Sequence, residues 1–208
     1  MQTVFRDNAK TYLLMIVFGV LAGLSVVFFC ELPHNELWDF YYWSSSTYGF
    51  WMCSTSLIVL FSEKRKCAAI NAGIYIFLMF FITTIYKSFR LYWDRYTPFE
   101  SLLEMSVNSI FGWLLYSIPA ALLCAVLALV LWSGREKTYW GKLLRIMPAI
   151  FILSETIFLF YQVFTGHTKL FSAITDVVFL GVYIIVMRRL IKGNKLRVIS
   201  ADGKEGAV

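Results

Sequence analysis

Apolar and polar positions alternate in long blocks along this chain. Six apolar stretches cover residues 11–30, 44–61, 67–88, 111–132, 144–165 and 170–187, separated by short polar intervals. Crossing a hydrocarbon core of about 30 Å takes about 20 residues of helix. Backbone groups find no water partner at that depth, so each stretch is predicted to be a helix. The pattern predicts an all-α polytopic transmembrane helical bundle, with six spans in a single domain over 1–187. Residues 188–208 form a basic tail whose end is expected to be disordered.

The polar intervals predict an orientation. The N-terminal tail, the second and fourth loops and the C-terminal tail hold 15 of the 19 Lys and Arg; the first, third and fifth loops hold 4, with Lys87 and Arg145 counted with the loops they adjoin. Cytoplasmic loops retain Lys and Arg, which places both termini in the cytoplasm. No N-x-S/T sequon occurs, in keeping with a bacterial plasma membrane. The first span exceeds the 7–15 residues or so of a signal h-region. Phe28 and Phe29 precede Cys30 where lipoprotein processing needs small residues, so an uncleaved first helix is expected.

Composition agrees. Hydrophobic residues make up 59% and charged residues 15%, far from soluble norms. In a soluble chain the net charge of +6 would raise nucleic acid as a partner. Here the excess lies in turns facing anionic lipid, with no basic stripe interleaved with aromatics, so the expected partner is the bilayer and not nucleic acid. Cys30, Cys53, Cys67 and Cys124 contain no CxxC pair, so neither a disulfide nor a metal site is expected.

Several segments depart from plain lipid-facing helix. The second span reaches crossing length only by including Ser44, Ser45 and Ser46, and Ser54, Thr55 and Ser56 follow deeper in. Such a helix is expected to face the bundle, or to bond back to its own carbonyls. The first outer loop carries Glu31, His34, Glu36 and Asp39 and ends in Trp38, Phe40, Tyr41, Tyr42 and Trp43, an interfacial belt or a binding cluster. Thr97-Pro98-Phe99-Glu100 predicts a helix start with Thr97 as N-cap. Pro119 is expected to bend the fourth span. Gly19 and Gly23, Ala68 and Ala72 mark faces for close helix packing or for docking a partner membrane protein.

Two acids stand inside spans. Glu155 lies ten residues before Thr165, about 15 Å deep, and Asp176 six residues after Leu170, about 9 Å deep. Their helices are joined by a short turn. An ionisable group at such depth costs several kcal/mol unless paired, protonated or hydrated, and is a functional candidate by default. Lys87 and Arg90 are the nearest cations by depth. Glu155 and Asp176 either bind a cationic or polyhydroxyl ligand, relay protons, or hold the bundle together. Asn71, Asn108 and Glu104 are candidates to complete the polar lining. No GxSxG, HExxH or Walker-type motif occurs, so no enzyme and no cofactor are expected.

The chain resembles a group of bacterial six-span membrane proteins of unassigned function, through Trp51, Glu63-Lys64-Arg65-Lys66, Ala68 with Ala69, and Tyr86. In size and span count it is also similar to the substrate-binding subunits of energy-coupling-factor vitamin importers. That resemblance implies docking of an energising partner through the Gly19 and Gly23 face, and a ligand site toward the outer side, where Glu155 and Asp176 would lie. The expected function is a small-molecule binding or transport subunit with an outward-facing polar pocket. The alternative is a non-catalytic accessory, assembly or signalling membrane protein.

Overall fold

The computed structural model describes residues 4–32, 37, 38, 48–94 and 100–205, with side chains up to Arg189. Among the described residues the chain is all-α, with six α-helices: α1 Ala9–Cys30, α2 Tyr48–Phe61, α3 Arg65–Trp93, α4 Leu102–Leu131, α5 Tyr139–Gly166 and α6 Leu170–Glu205. A 3-10 turn, Trp132–Arg135, follows α4. Five helices are long and apolar enough to cross a membrane. The outer faces are correspondingly apolar: Leu103 is 76% exposed, Phe111 71% and Phe164 76%. Surface of that kind suits hydrocarbon, not water.

The exception is α2, with 14 residues. It rises about 21 Å at 1.5 Å per residue, about 9 Å short of a 30 Å core. Ser44, Ser45 and Ser46, with His34, Glu36, Asp39, Phe40, Tyr41, Tyr42 and Trp43, lie outside the described residues. The shortest helix is nevertheless the link of the fold. α3 packs between α1 and α4, α5 and α6 form a hairpin, and α2 joins the two groups by packing on α3, α5 and α6. Three consecutive residues carry this out. Ile58 packs with Met15, Tyr75 and Met79; Val59 with Ala68, Ala72 and Ala128; Leu60 with Ile152 and Tyr183. A helix buried on several faces is held by packing, not by length.

The small-residue faces are used inside the chain. A Cβ on Gly19 would stand 2.9 Å from Leu78 Cβ and from Tyr75 O, and one on Gly23 would stand 2.9 Å from Ile82 Cβ. α1 therefore lies backbone-close on α3 along that stripe. Ala68 and Ala72 are fully buried beneath Val59 and Ala128.

The start of α4 differs from the sequence prediction. The helix begins at Leu102, with Ser101 as N-cap accepting a hydrogen bond from Glu104 N at 3.2 Å. Glu104 reaches back and accepts from Glu100 N at 3.2 Å. Ser101 and Glu104 have capping-box spacing, and this later signal prevails over the one around Pro98. Thr97, Pro98 and Phe99 lie outside the described residues. α4 runs unbroken through Pro119. At the other terminus, α6 continues to Glu205, where the sequence pattern predicts a disordered end.

The turns sort onto two ends of the bundle. Val4 N and Phe5 N donate to Phe61 O, and Glu63 N donates to Phe5 O. Arg65 Nη2 donates to Ser133 Oγ at 2.7 Å. The N-terminal segment, the α2–α3 turn and the α4–α5 turn, the Lys- and Arg-rich segments, thus share one end. The other end holds the close of α1, where Arg90 Nη1 donates to Cys30 O at 2.9 Å, and the α5–α6 turn, where Leu170 N donates to Leu37 O at 2.8 Å.

Candidate functional site

Glu155 and Asp176 meet at the first turn of α2. Glu155 is on the face of α5 that buries Ile152 and Leu159, three residues before and four after it. Its Oε1 accepts a hydrogen bond from Tyr48 N, the first amide of α2, at 2.8 Å. That amide has no partner within its own helix, so the carboxylate serves as a cap supplied from another element. Asp176 is fully buried on α6, near Ala173 and Ser172, which are fully buried as well. Its carboxyl lies beside that of Glu155 and over Gly49. A Cβ at Gly49 would overlap Asp176 Oδ1 and stand 2.6 Å from Cγ. Glycine is what lets α2 and this carboxyl occupy the same place.

The two acids are not equivalent. Glu155 is half-buried and has its amide partner. Neither oxygen of Asp176 makes a hydrogen bond of good geometry among the described residues, although the Gly49 amide and the Glu155 carboxyl lie against it. A fully buried carboxylate beside a second carboxylate is a concentration of negative charge. The positive end of α2 offsets part of it. A helix N-terminus contributes about 0.3–1 kcal/mol to a nearby anion, or about 2 in favourable geometry. Burying an ion costs several kcal/mol after relaxation. The dipole is too small to settle the difference alone. A proton, a cation or a donor group must supply the rest.

The nearby cation is Lys169, in the α5–α6 turn, whose charge is felt at Glu155. Sequence depth had pointed to Lys87 and Arg90. Arg90 instead closes α1, through Cys30 O, and pairs with Glu31 at 3.4 Å and Asp94 at 3.6 Å. Lys169 and Gly49 were the residues that sequence reasoning missed. Gly49 has a readable signal only in hindsight: it follows directly on Tyr48, the first residue of α2.

The other candidates lie elsewhere. Asn71 is fully buried at the opposite end of α2, where its Nδ2 donates to Ser62 Oγ at 3.1 Å and to Cys67 Sγ at 3.2 Å. Asn108 is exposed and donates to Glu104 O at 2.8 Å. Glu104 is engaged in capping α4. The structure brings Glu155 and Asp176 together and leaves these three apart. A polar-lined pocket is not what surrounds the pair among the described residues; three of the clefts between helices have mainly apolar linings, and a fourth, which carries Thr83, Thr84, Lys87 and Tyr116, is lined by neither acid. Among the described residues no group of three or more His, Cys, Asp and Glu gathers as a metal site. No protein-family model, no curated protein and no solved structure matches this chain.

Proposed function

We propose that this chain is a multi-pass protein of a bacterial plasma membrane, with both termini cytoplasmic, and that it binds or transports a small cationic molecule at Glu155 and Asp176. The distribution of Lys and Arg supports the orientation, because the basic turns share one end of the bundle. α2 then acts as the sixth, incomplete crossing. Its described N-terminus lies about 9 Å below the outer face, between that face and the 15 Å or so reckoned for Glu155. A half-crossing helix that ends at an ion site is a recurrent device of transporters.

One observation carries the reading. Asp176 is fully enclosed, adjoins a second carboxylate and makes no hydrogen bond of good geometry through either oxygen among the described residues. A purely structural role is served by Glu155, whose bond to Tyr48 N completes the helix end. In an importer of the energy-coupling-factor kind, such a chain would be the ligand-binding component.

The test is thermal unfolding of the purified protein in phosphatidylcholine nanodiscs, with methylammonium or ethanolamine added. The wild type should be stabilised by the amines, by about 2.7 kcal/mol at a hundredfold excess over Kd. Glu155→Gln and Asp176→Asn should insert and fold but lose that response. An equal response in all three proteins would remove the pair from the site.

A further inference from the structure

A long apolar cleft ends beside the acid pair, at Tyr48, without either acid lining it. α4 and α5 are consecutive, yet they scarcely pack against each other. Between them lies a cleft of about 490 Å³ with α2 as its floor. That size falls within the roughly 300–1,000 Å³ of small-molecule sites. Leu123 and Leu127 form one wall, Met147 and Phe151 the other, and Trp51 and Met52 the floor.

Two features tie the cleft to the acids. Leu144, Met147 and Phe151 form a stripe along α5 at helical spacing, and Glu155 is the next residue on it. Tyr48 lines the cleft with its side chain and gives its amide to Glu155. The apolar channel therefore ends at Tyr48 and Phe151, one helical turn from Glu155, which does not itself line it. No Lys or Arg is among its lining residues, and Thr55 Oγ1, buried on its floor, has no hydrogen-bond partner among the described residues.

We propose that the cleft and the acid pair form one site for an amphiphile with a primary ammonium head and a single hydrocarbon chain. The head lies at Glu155 and Asp176, and the chain lies between α4 and α5. This rests on the binding reading given above and names its ligand class. The unmatched oxygens of Asp176 need N–H donors as well as positive charge, which a primary ammonium has and a quaternary ammonium lacks. The cleft opens toward lipid. A ligand arriving through the bilayer already has its chain in hydrocarbon, so moving that chain into the cleft gains little. The head then sets the affinity, and the chain sets the route and the register.

The test is photolabelling in phosphatidylcholine nanodiscs with hexadecylamine carrying a diazirine in mid-chain, mapped by mass spectrometry. Label should fall on Leu123, Leu127, Met147 and Phe151. Hexadecylamine should compete it; hexadecanol and hexadecyltrimethylammonium should not. Glu155→Gln should lower the competed label about tenfold, the effect of losing about 1.4 kcal/mol. Leu127→Trp, a change at a half-exposed wall position, should block the label while leaving thermal stabilisation by methylammonium intact. Label competed equally by hexadecanol would assign the cleft to ordinary lipid chains and overturn the proposal. Uncompeted label spread over the outer faces of α1 and α4 would overturn it too. If methylammonium still stabilises the wild type and not Asp176→Asn, the amphiphile falls and the cation site stands. If methylammonium also has no effect, both fall.

Discussion

The two ends of α2 are finished with opposite chemistry and to different degrees. At the Ser62 end, donors from other elements meet the last carbonyls. Arg135 Nη1 donates to Ser62 O and to Glu63 O, Trp132 Nε1 donates to Ser62 O at 3.2 Å, and Val4 N and Phe5 N donate to Phe61 O. A cation at a helix C-terminus and anions at its N-terminus both suit the helix dipole. At the Tyr48 end, however, two carboxyls serve where one amide is met, and Asp176 is left over. At the Ser62 end the backbone carbonyls of Phe61, Ser62 and Glu63 are met, and the buried oxygen left over is the neutral Asn71 Oδ1. An end where a second buried carboxyl crowds the first reads as a site.

The largest break in this comparison is expected at Gly49. Gly49→Ala places a methyl into the Asp176 carboxyl and should destabilise by about 3 kcal/mol, the upper part of the range for overpacking. The double variant Gly49→Ala with Asp176→Ala should recover most of that loss, and the difference between the two in thermal unfolding measures the contact. An additive result would show that the carboxyl does not rest on Gly49.

At the matched end, Arg135→Ala removes a charged donor from two backbone carbonyls. It should cost about 2 kcal/mol and leave amine binding unchanged. A loss of binding equal to that of Asp176→Asn would erase the distinction between the ends.

The smallest effect concerns the tie between the N-terminal segment and the α2–α3 turn. Asp7 is held below its ordinary carboxylate value by the Tyr12 hydroxyl first and by Lys64 second. Because its folded value is depressed, its contribution is present at neutral pH and fades as pH falls through that value, below 3.8. Melting temperature should therefore show no Asp7-dependent change between about pH 7 and pH 5. Below about pH 4 the wild type should converge on Asp7→Asn. Equal curves throughout would show that the contact does not contribute.

The helices were legible in the sequence because hydrocarbon thickness and backbone satisfaction leave few alternatives to a long apolar run. The pairing of Glu155 with Asp176 was half legible. Depth and a short connection put both in the outer half of adjacent helices, but facing is set by packing, and the packing was decided by Ile58, Val59 and Leu60 of α2. Gly49 was not legible, since its role depends on a carboxyl 127 positions further along the chain. The start of α4 was misplaced because two capping signals lie four residues apart, and Ser101 with Glu104 prevails.

The central claim is that Asp176 is kept for a ligand and not for the fold. The most direct measurement is the melting temperature of wild type and Asp176→Asn in phosphatidylcholine nanodiscs, each with and without methylammonium. Replacing a crowded buried carboxyl by its neutral isostere should leave stability unchanged or raise it by about 1 kcal/mol. The variant should therefore melt at or above the wild type alone, yet gain nothing from methylammonium. A variant that melts well below the wild type, in a protein that methylammonium does not stabilise, would make Asp176 a structural residue and contradict the account.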